Sequence, residues 1–256
     1  MMYYKNLIVE IRDQVLWVKI NRPKVRNALS LATLGELGRA CTEYAAEPAL
    51  KAVVLTGEGN ESFAAGGDLK EFSAIRTAAQ TEQLFDLASS VLDKIRKFPT
   101  PVVAAVNGWA LGGGAELALA CDFRVAAAHA SIGYIHGRLN ITCGFGGGAD
   151  LMQLLGGSRA MLHGLTAKPL PALEAQRAGL FDRVAEEGER LESCVAGFLE
   201  PLLGQQPQVI RAYKAMASAA QQGLSGEERR AIEREWFVRT WTHADHWAAV
   251  DATMKK

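Results

Sequence analysis

The 256-residue sequence lacks the features that define several protein classes. Its charges balance, with 28 Lys plus Arg against 28 Asp plus Glu, so it has no basic excess with which to bind nucleic acid or an acidic membrane surface. It has few cysteines, and these form no Cys-x-x-Cys pair. Their spacing indicates neither a disulfide framework nor a zinc site, and it suits a reducing compartment. The cysteines are Cys41, Cys121, Cys143 and Cys194.

Long hydrophobic runs are also absent. The strongly apolar stretches, such as 101–106 and 117–121, are far too short to cross a bilayer. The stretch 1–14 carries charged residues within its apolar part and no small-residue cleavage site, so it does not resemble a signal peptide. We therefore expect a cytoplasmic protein without a membrane partner.

The apolar content is nevertheless sufficient for a large core, since 49% of the residues are hydrophobic. Strand-like and helical segments alternate through the first two thirds of the chain, which predicts an α/β architecture with largely parallel strands. Ser30 is the expected N-cap of the first helix. We predict strands at 7–11, 15–20, 51–56, 101–106 and 123–127, and helices at 31–46, at 81–97 and from within 112–114.

Strand signals cease after about residue 188. The remaining sequence predicts helices at 189–203, 207–222, 227–240 and 244–254, and we expect the last two to be amphipathic. We therefore divide the chain into an α/β core, 1–188, and a helical region, 189–256, that packs on the core, on a neighbouring subunit, or on both. The large aromatic residues of the last two helices are Trp236, Phe237, Trp241 and Trp247.

Three glycine-rich segments, 64–69, 108–116 and 144–149, are candidates for chemistry. None is a phosphate-binding P-loop, because no Gly-Lys-Ser/Thr follows. The third contains a Gly-x-Gly-x-x-Ala pattern, but no acidic residue stands where a ribose would need one, so a dinucleotide site is disfavoured.

The first two glycine-rich segments each follow a buried strand and lead into a helix. Two such corners on adjacent strands can direct two backbone N–H donors at one oxygen, which is the design of an oxyanion hole. Losing one donor from such a site costs about 3 kcal/mol of transition-state stabilisation. The alternative is that these glycines only permit close helix packing.

Glu116 lies just inside the helix that follows the second segment, among apolar neighbours. Burying a carboxylate there is costly unless it is paired, hydrogen-bonded or neutral. Glu116 is either a first-turn residue that complements the helix dipole or a general acid/base beside the oxyanion hole.

Several motifs occur in an order that resembles the enoyl-CoA hydratase/isomerase (crotonase) superfamily over essentially the whole length. The resemblance implies a ClpP/crotonase-type spiral of ββα units with a C-terminal helical trimerisation region. The motifs are Asn21-Arg-Pro23 with Asn27-Ala-Leu29, Phe63-Ala-Ala-Gly-Gly-Asp-Leu69, Pro101-Val-Val-Ala-Ala-Val-Asn-Gly108, Gly112-Gly-Gly-Ala-Glu116, Ala120-Cys-Asp-Phe-Arg124 and Ala178-Gly-Leu-Phe-Asp182.

The resemblance also implies roles for individual residues. The oxyanion-hole donors are the N–H groups of Gly67 and Gly113. A CoA thioester supplies the reactive carbonyl, so neither a metal nor a separate cofactor is required, and the implied assembly is a homotrimer or a dimer of trimers. The implied substrate-binding residues are Lys24, Val25, Ala65, Asp68, Leu69 and Gly112, with Trp109 lining the acyl pocket.

One departure from the family pattern concerns the second catalytic glutamate. Hydratases of this family carry it in a segment resembling Phe-Gly-x-Pro-Glu, whereas here 132–138 reads Ile-Gly-Tyr-Ile-His-Gly-Arg and His136 takes its place. Decarboxylation of a malonyl-type thioester tolerates this change best, since no base has to remove a carbon-bound proton and one acid protonates the enolate. The segments around 108–116, 134–136 and 146–149 are similar to the ethylmalonyl-CoA decarboxylase branch.

Several functions remain open at this point. The first is a lyase that stabilises a thioester enolate, by decarboxylation of a short branched malonyl-CoA or by hydration or isomerisation of an enoyl-CoA, with Glu116 or His136 handling the proton. The second is a thioester or C–C bond hydrolase in which His136 activates water. The third is a non-catalytic acyl-CoA-binding protein. A loop histidine bonded only to backbone is the alternative interpretation of His136.

Overall fold

The computed structural model describes residues 3–255, and its strands form two sheets. Most strands of the larger sheet match predicted segments to within one or two residues, and the strands of the smaller sheet have only two or three residues each. The strands are β1 (Leu7–Arg12), β2 (Val15–Ile20), β3 (Ala52–Gly57), β4 (Ser62–Ala64), β5 (Val102–Val106), β6 (Trp109–Leu111), β7 (Phe123–Ala126), β8 (Ser131–Gly133), β9 (Leu170–Pro171) and β10 (Arg183–Val184).

The larger sheet has the strand order β1-β2-β3-β5-β7-β10. β1 and β2 form an antiparallel hairpin, and every later pair in this sheet is parallel. The prediction of an α/β architecture with largely parallel strands is therefore confirmed.

The smaller sheet has the order β4-β6-β8-β9 and is parallel except for its last pair. Asn107 stabilises the point where the chain leaves the larger sheet for the smaller one. Its amide nitrogen donates to the carbonyl oxygens of Gly57 (2.9 Å) and Ser62 (3.2 Å). The two corners that follow β3 and β5 are thus held together by one side chain.

The helices surround the sheets and extend to the C-terminus. Ser30 caps the first helix by accepting from the Thr33 N–H at 3.1 Å, as predicted. The helices are α1 (Leu31–Tyr44), α2 (Leu69–Phe72), α3 (Ala78–Arg96), α4 (Gly113–Leu119), α5 (Gly147–Leu155), α6 (Gly157–Thr166), α7 (Ala172–Arg177), α8 (Leu191–Leu203), α9 (Pro207–Gln221), α10 (Gly226–Trp241) and α11 (Ala244–Met254).

Apolar side chains are buried on both faces of the larger sheet. Along β3, Val53 and Leu55 belong to the core cluster that includes α1, α3 and α4, and Val54 belongs to a second cluster that includes α8. Since successive side chains of a strand point to opposite faces, helices cover both sides of this sheet. None of the helices among residues 3–255 is long and apolar enough to span a membrane.

The C-terminal helices differ in part from the prediction. All four helices are present, and α8 packs on the larger sheet, but the expectation that α10 and α11 are amphipathic is wrong. The apolar residues of α10 are spread around its circumference, and neither helix has a buried residue. Phe237 is 57% exposed, and Trp241 and Trp247 are each about half-exposed. The division at 188 and the homotrimer or dimer of trimers stay predictions.

The close approach of α4 to β4 depends on the absence of a side chain at Gly114. A Cβ on Gly114 would overlap the carbonyl oxygen of Ala64, a backbone atom that cannot move alone. We expect Gly114→Ala to lower the free energy of unfolding, measured by urea titration, by about 1–3 kcal/mol. Gly35→Ala is the matched control, since a Cβ there meets nothing within 4 Å and alanine is favoured over glycine in a helix by up to about 1 kcal/mol. Equal stability of the two variants would contradict this packing.

Candidate active site

A cavity of about 510 Å³ lies where the smaller sheet meets α4. We call it the Glu116 cavity. Ala65–Gly67 after β4, Gly112 and Gly113 at the start of α4, and Cys143–Phe145 before α5 all contribute to its wall, together with Glu116 and His136.

Two backbone corners meet at this cavity. β4 and β6 are parallel neighbours, so the segments after them lie side by side, and a Cβ on Gly66 would be 3.9 Å from the amide nitrogen of Gly113. Gly112 has φ of 53° with ψ of −123°, a conformation that glycine tolerates best. Within residues 3–255, the N–H groups of Gly67 and Gly113 have no hydrogen-bond acceptor. Two unpaired donors therefore belong to residues that line one cavity.

The two corners follow different strands from those that the sequence predicted. We expected them at the ends of the long buried strands, but they follow β4 and β6 of the smaller sheet. The long strands β3 and β5 end at Gly57 and Val106, and the chain turns there before it reaches the cavity. Their adjacency, which the oxyanion-hole argument requires, is still present because β4 pairs with β6.

The Glu116 carboxylate is fully buried and surrounded by donors. Its Oε1 accepts from the N–H groups of Phe145 and Gly147, both at 2.9 Å. Its Oε2 accepts from the Gly144 N–H at 3.3 Å and contacts Nε2 of His136 at 2.9 Å. A carboxylate offers about four lone-pair positions. All of them are used, so Glu116 has no remaining position with which to accept a further hydrogen bond.

The third glycine-rich segment is what surrounds this carboxylate. A Cβ on Gly147 would overlap the Cβ of Glu116, and a Cβ on Gly113 would overlap the ring of Phe145. Glycine at these positions lets the loop and the start of α5 approach α4 closely, so that backbone N–H groups reach the carboxylate. The sequence alone assigns no role to this segment. The feature that points to such a role is Glu116, because a buried carboxylate needs hydrogen-bond donors from elsewhere in the chain.

His136 begins a short 3-10 helix, 136–139, and its side chain is only 12% exposed. Burial alone lowers the pKa of His136, but its contacts with Cys143 and with the Glu116 carboxylate outweigh burial and raise that pKa from 6.5 to about 9. Nδ1 is buried and has no hydrogen-bond partner in the described part of the chain. The alternative of a loop histidine bonded only to backbone is wrong, because Nε2 contacts the carboxylate.

The residues implied to bind substrate divide into two groups. Ala65, Leu69 and Gly112 line the Glu116 cavity, and Leu69 is 61% exposed at its rim. Lys24 and Val25 lie in an exposed 3-10 turn and are not part of the wall of this cavity.

Asp68 and Trp109 lie outside the wall of the Glu116 cavity, and their implied roles in substrate binding stay predictions. The Asp68 carboxylate caps α2 and pairs with Arg22 at 2.9 Å, so its oxygens serve the fold. Trp109 does not line the cavity, and its ring lies under the guanidinium of Arg26, 5.2 Å away. The reason is strand alternation: Ala110 takes the buried side of β6, and its neighbour Trp109 points away.

Comparisons with known proteins agree with this architecture. The sequence profile of the family described as enoyl-CoA hydratase/isomerase matches residues 10–255. The crotonyl-CoA hydratase of Syntrophomonas wolfei is 37% identical over 259 residues, which cover 100% of this chain and 97% of that protein. The short-chain-enoyl-CoA hydratase of Clostridium acetobutylicum is 34% identical over 255 residues, with the same coverage.

Solved structures show the same fold. The enoyl-CoA hydratase of Bacillus anthracis superimposes with a TM-score of 0.90 at 32% identity, covering 98% of this chain and 96% of that one. The chain therefore belongs to the enoyl-CoA hydratase/isomerase family, and the prediction of a crotonase-like fold is confirmed. These relatives are named as hydratases, and the finer resemblance to the decarboxylase branch stays a prediction.

The pairing of Glu116 with His136 is testable by titration. Glu116→Gln removes the negative charge but keeps the shape, so the pKa of His136 should fall below about 9, because burial still lowers it and one of the two contacts that raise it is lost. The measurement is an NMR pH titration of labelled histidine side chains, with the exposed His129 as internal control. An unchanged His136 midpoint in the variant would contradict the pairing.

The raised pKa of His136 also makes the stability of the folded protein depend on pH. Because the folded state raises the pKa of His136, the protonated ring contributes stability in full below pH 6.5, and this contribution is lost as pH rises through about 9.

Proposed function

We propose that this protein acts on an acyl-CoA thioester through an enolate, which the N–H groups of Gly67 and Gly113 stabilise, and that His136 delivers the proton. Membership of the family supports the acyl-CoA substrate. The two unpaired N–H groups beside one cavity support the oxyanion hole. The proton on His136 at neutral pH follows from its raised pKa.

The observation that carries the choice of reaction is the saturated carboxylate of Glu116. Adding water across a double bond needs one group to activate the water and another to protonate carbon. Glu116 can do neither without first giving up one of its hydrogen-bond partners. Its role in this proposal is to orient His136 and to keep its ring protonated. The site then offers one acid and no free base.

Decarboxylation of a short branched malonyl-CoA matches such a site. The bond between Cα and the carboxylate breaks, carbon dioxide leaves, and the electron pair moves into the thioester enolate. The enolate oxygen accepts from Gly67 and Gly113, and His136 gives its proton to Cα. Apolar residues such as Leu69, Phe72 and Ile135 also line the cavity and suit a short alkyl branch.

The CoA moiety would extend from the rim of the cavity near Ala65 and Leu69. Lys24 and Arg26 are exposed on the preceding segment. Lys24 would supply positive charge for the phosphates directly, whereas Arg26 would first leave its 2.7 Å ion pair with Glu61. Neither residue lines the Glu116 cavity, which agrees with a role outside the acyl pocket.

Hydration of a short-chain enoyl-CoA is the second candidate. It is favoured by the names of two relatives that match the full length of the chain, a crotonyl-CoA hydratase and a short-chain-enoyl-CoA hydratase. In this reaction Glu116 would exchange one backbone donor for the attacking water, and His136 would protonate Cα.

A comparison of two substrates tests the proposal. With ethylmalonyl-CoA we expect release of carbon dioxide and formation of butyryl-CoA. Both the loss of the substrate and the appearance of butyryl-CoA are measured by mass spectrometry. His136→Gln removes the proton donor and should lower the rate about 10²–10⁴-fold. His129→Gln is the matched control, because His129 is exposed and, among residues 3–255, its side chain hydrogen-bonds to the Asn60 carbonyl oxygen, outside the cavity.

Two other outcomes would reject decarboxylation. Formation of 3-hydroxybutyryl-CoA from crotonyl-CoA, without carbon dioxide from ethylmalonyl-CoA, would reject decarboxylation in favour of hydration. Tight acyl-CoA binding without turnover of either substrate would reject both and leave a binding protein.

A further inference from the structure

Three different donor atoms converge in the wall of the Glu116 cavity. One atom each of Glu116, His136 and Cys143 (a carboxylate oxygen, an imidazole nitrogen and a thiol sulphur) lies within 4.8 Å of the other two. Glu116 is buried, and the other two side chains are half-buried. Oxygen, nitrogen and sulphur ligands of this kind are those that Zn²⁺ takes in proteins. The proposed reaction does not use Cys143.

We propose that Glu116, His136 and Cys143 form a binding site for one Zn²⁺ ion, and that the bound ion reversibly switches the enzyme off. The inhibition rests on the proposed function, whereas the binding of the ion does not. The ion is an inhibitor in this proposal, so the prediction that catalysis needs no metal is unaffected.

The distances fit a tetrahedral ion after a small adjustment. Zinc bonds of about 2.0–2.3 Å place neighbouring ligand atoms roughly 3.3–3.8 Å apart. The Nε2 to Oε2 separation is 2.9 Å, and the sulphur lies within 4.8 Å of one ring nitrogen of His136 and one carboxylate oxygen of Glu116. The pair of Glu116 and His136 would therefore open by a few tenths of an ångström.

Oε2 is the carboxylate oxygen suited to the ion. It has the longer backbone bond, 3.3 Å from Gly144, and its other partner is the His136 nitrogen that would itself bind zinc. Oε1 keeps its two 2.9 Å bonds from Phe145 and Gly147. Such outer-sphere donors orient a ligand and are worth about 10–100-fold in metal affinity.

The cavity supplies the remaining coordination position. All three side chains line it, so a water molecule in the cavity can complete the tetrahedron. Binding replaces one proton on His136 and the thiol proton of Cys143, and both leave to solvent. With zinc on Nε2, His136 is a neutral ring that keeps only its Nδ1 proton. It can then no longer act as the acid that protonates Cα, which is the physical reason for inhibition.

Metal titration tests the site without reference to activity. We expect calorimetry and native mass spectrometry to show one Zn²⁺ per chain. Co²⁺ as a spectroscopic probe should give the near-ultraviolet thiolate charge-transfer band. Cys143→Ser should weaken Zn²⁺ binding at least about tenfold, by comparison with outer-sphere losses, and should remove the band. The matched control is Cys41→Ser, because Cys41 is half-buried beside a different cavity.

A further control addresses the exposed pair of His243 and Asp245 on α11, whose side chains are 3.2 Å apart. His243→Ala should leave the affinity unchanged. Loss of Zn²⁺ binding in His243→Ala, or equal affinity and an equal Co²⁺ band in Cys143→Ser and wild type, would overturn the proposed site. Circular dichroism of Cys143→Ser and Cys143→Ala shows whether each variant is folded.

The inhibitory role has its own readout. Micromolar Zn²⁺ should abolish turnover of whichever acyl-CoA is the substrate, and a chelator should restore it. Undiminished turnover with one Zn²⁺ bound at Cys143 would reject the switch but not the site. Absence of any turnover would reject the proposed function, while the metal titration would still decide the site.

Discussion

A carboxylate removed from water has to be satisfied by donors, and the rest of this site depends on how Glu116 meets that requirement. Three backbone N–H groups and one imidazole nitrogen surround it, and its exposure is zero. Leaving a buried charge unpaired would cost several kcal/mol. The loop 144–147 must therefore fold against α4, and this contact closes one wall of the cavity. The same carboxylate contacts His136 and, together with Cys143, raises the pKa of its ring.

The close packing that this arrangement needs explains where glycine occurs. Gly113, Gly114 and Gly147 each stand where a Cβ would overlap a neighbouring ring, carbonyl or side chain. The start of α4 can thus approach β4 and the loop before α5 at once. The unpaired N–H of Gly113 belongs to this same turn of backbone. The fold and the candidate site are consequently built from the same contacts, so a change that loosens the packing also displaces the donors.

Sequence patterns predicted the parts of the fold that depend on long periodic segments. The continuous apolar runs of β3 and β5, and the cap at Ser30, matched the structure closely. The smaller sheet was missed because strands of two or three residues leave no periodic signal. The partners of Glu116 were missed too, since they are backbone groups from a segment about thirty residues further along the chain, and only tertiary packing brings them there. The side of β6 on which Trp109 lies could not be predicted either, because a motif position does not specify the face of a short strand.

In the function that we propose, His136 stands where the family pattern has a second glutamate, and this changes the chemistry of the site. Two free carboxylates can share the work of a base and an acid, whereas the proposed pair of a saturated carboxylate and a protonated imidazole provides an acid alone. Neutron diffraction on a crystal of the protein in D₂O near neutral pH would locate these protons directly. Our account predicts deuterium on both ring nitrogens of His136 and none on the Glu116 carboxylate. Deuterium on Glu116, with a neutral His136, would contradict it.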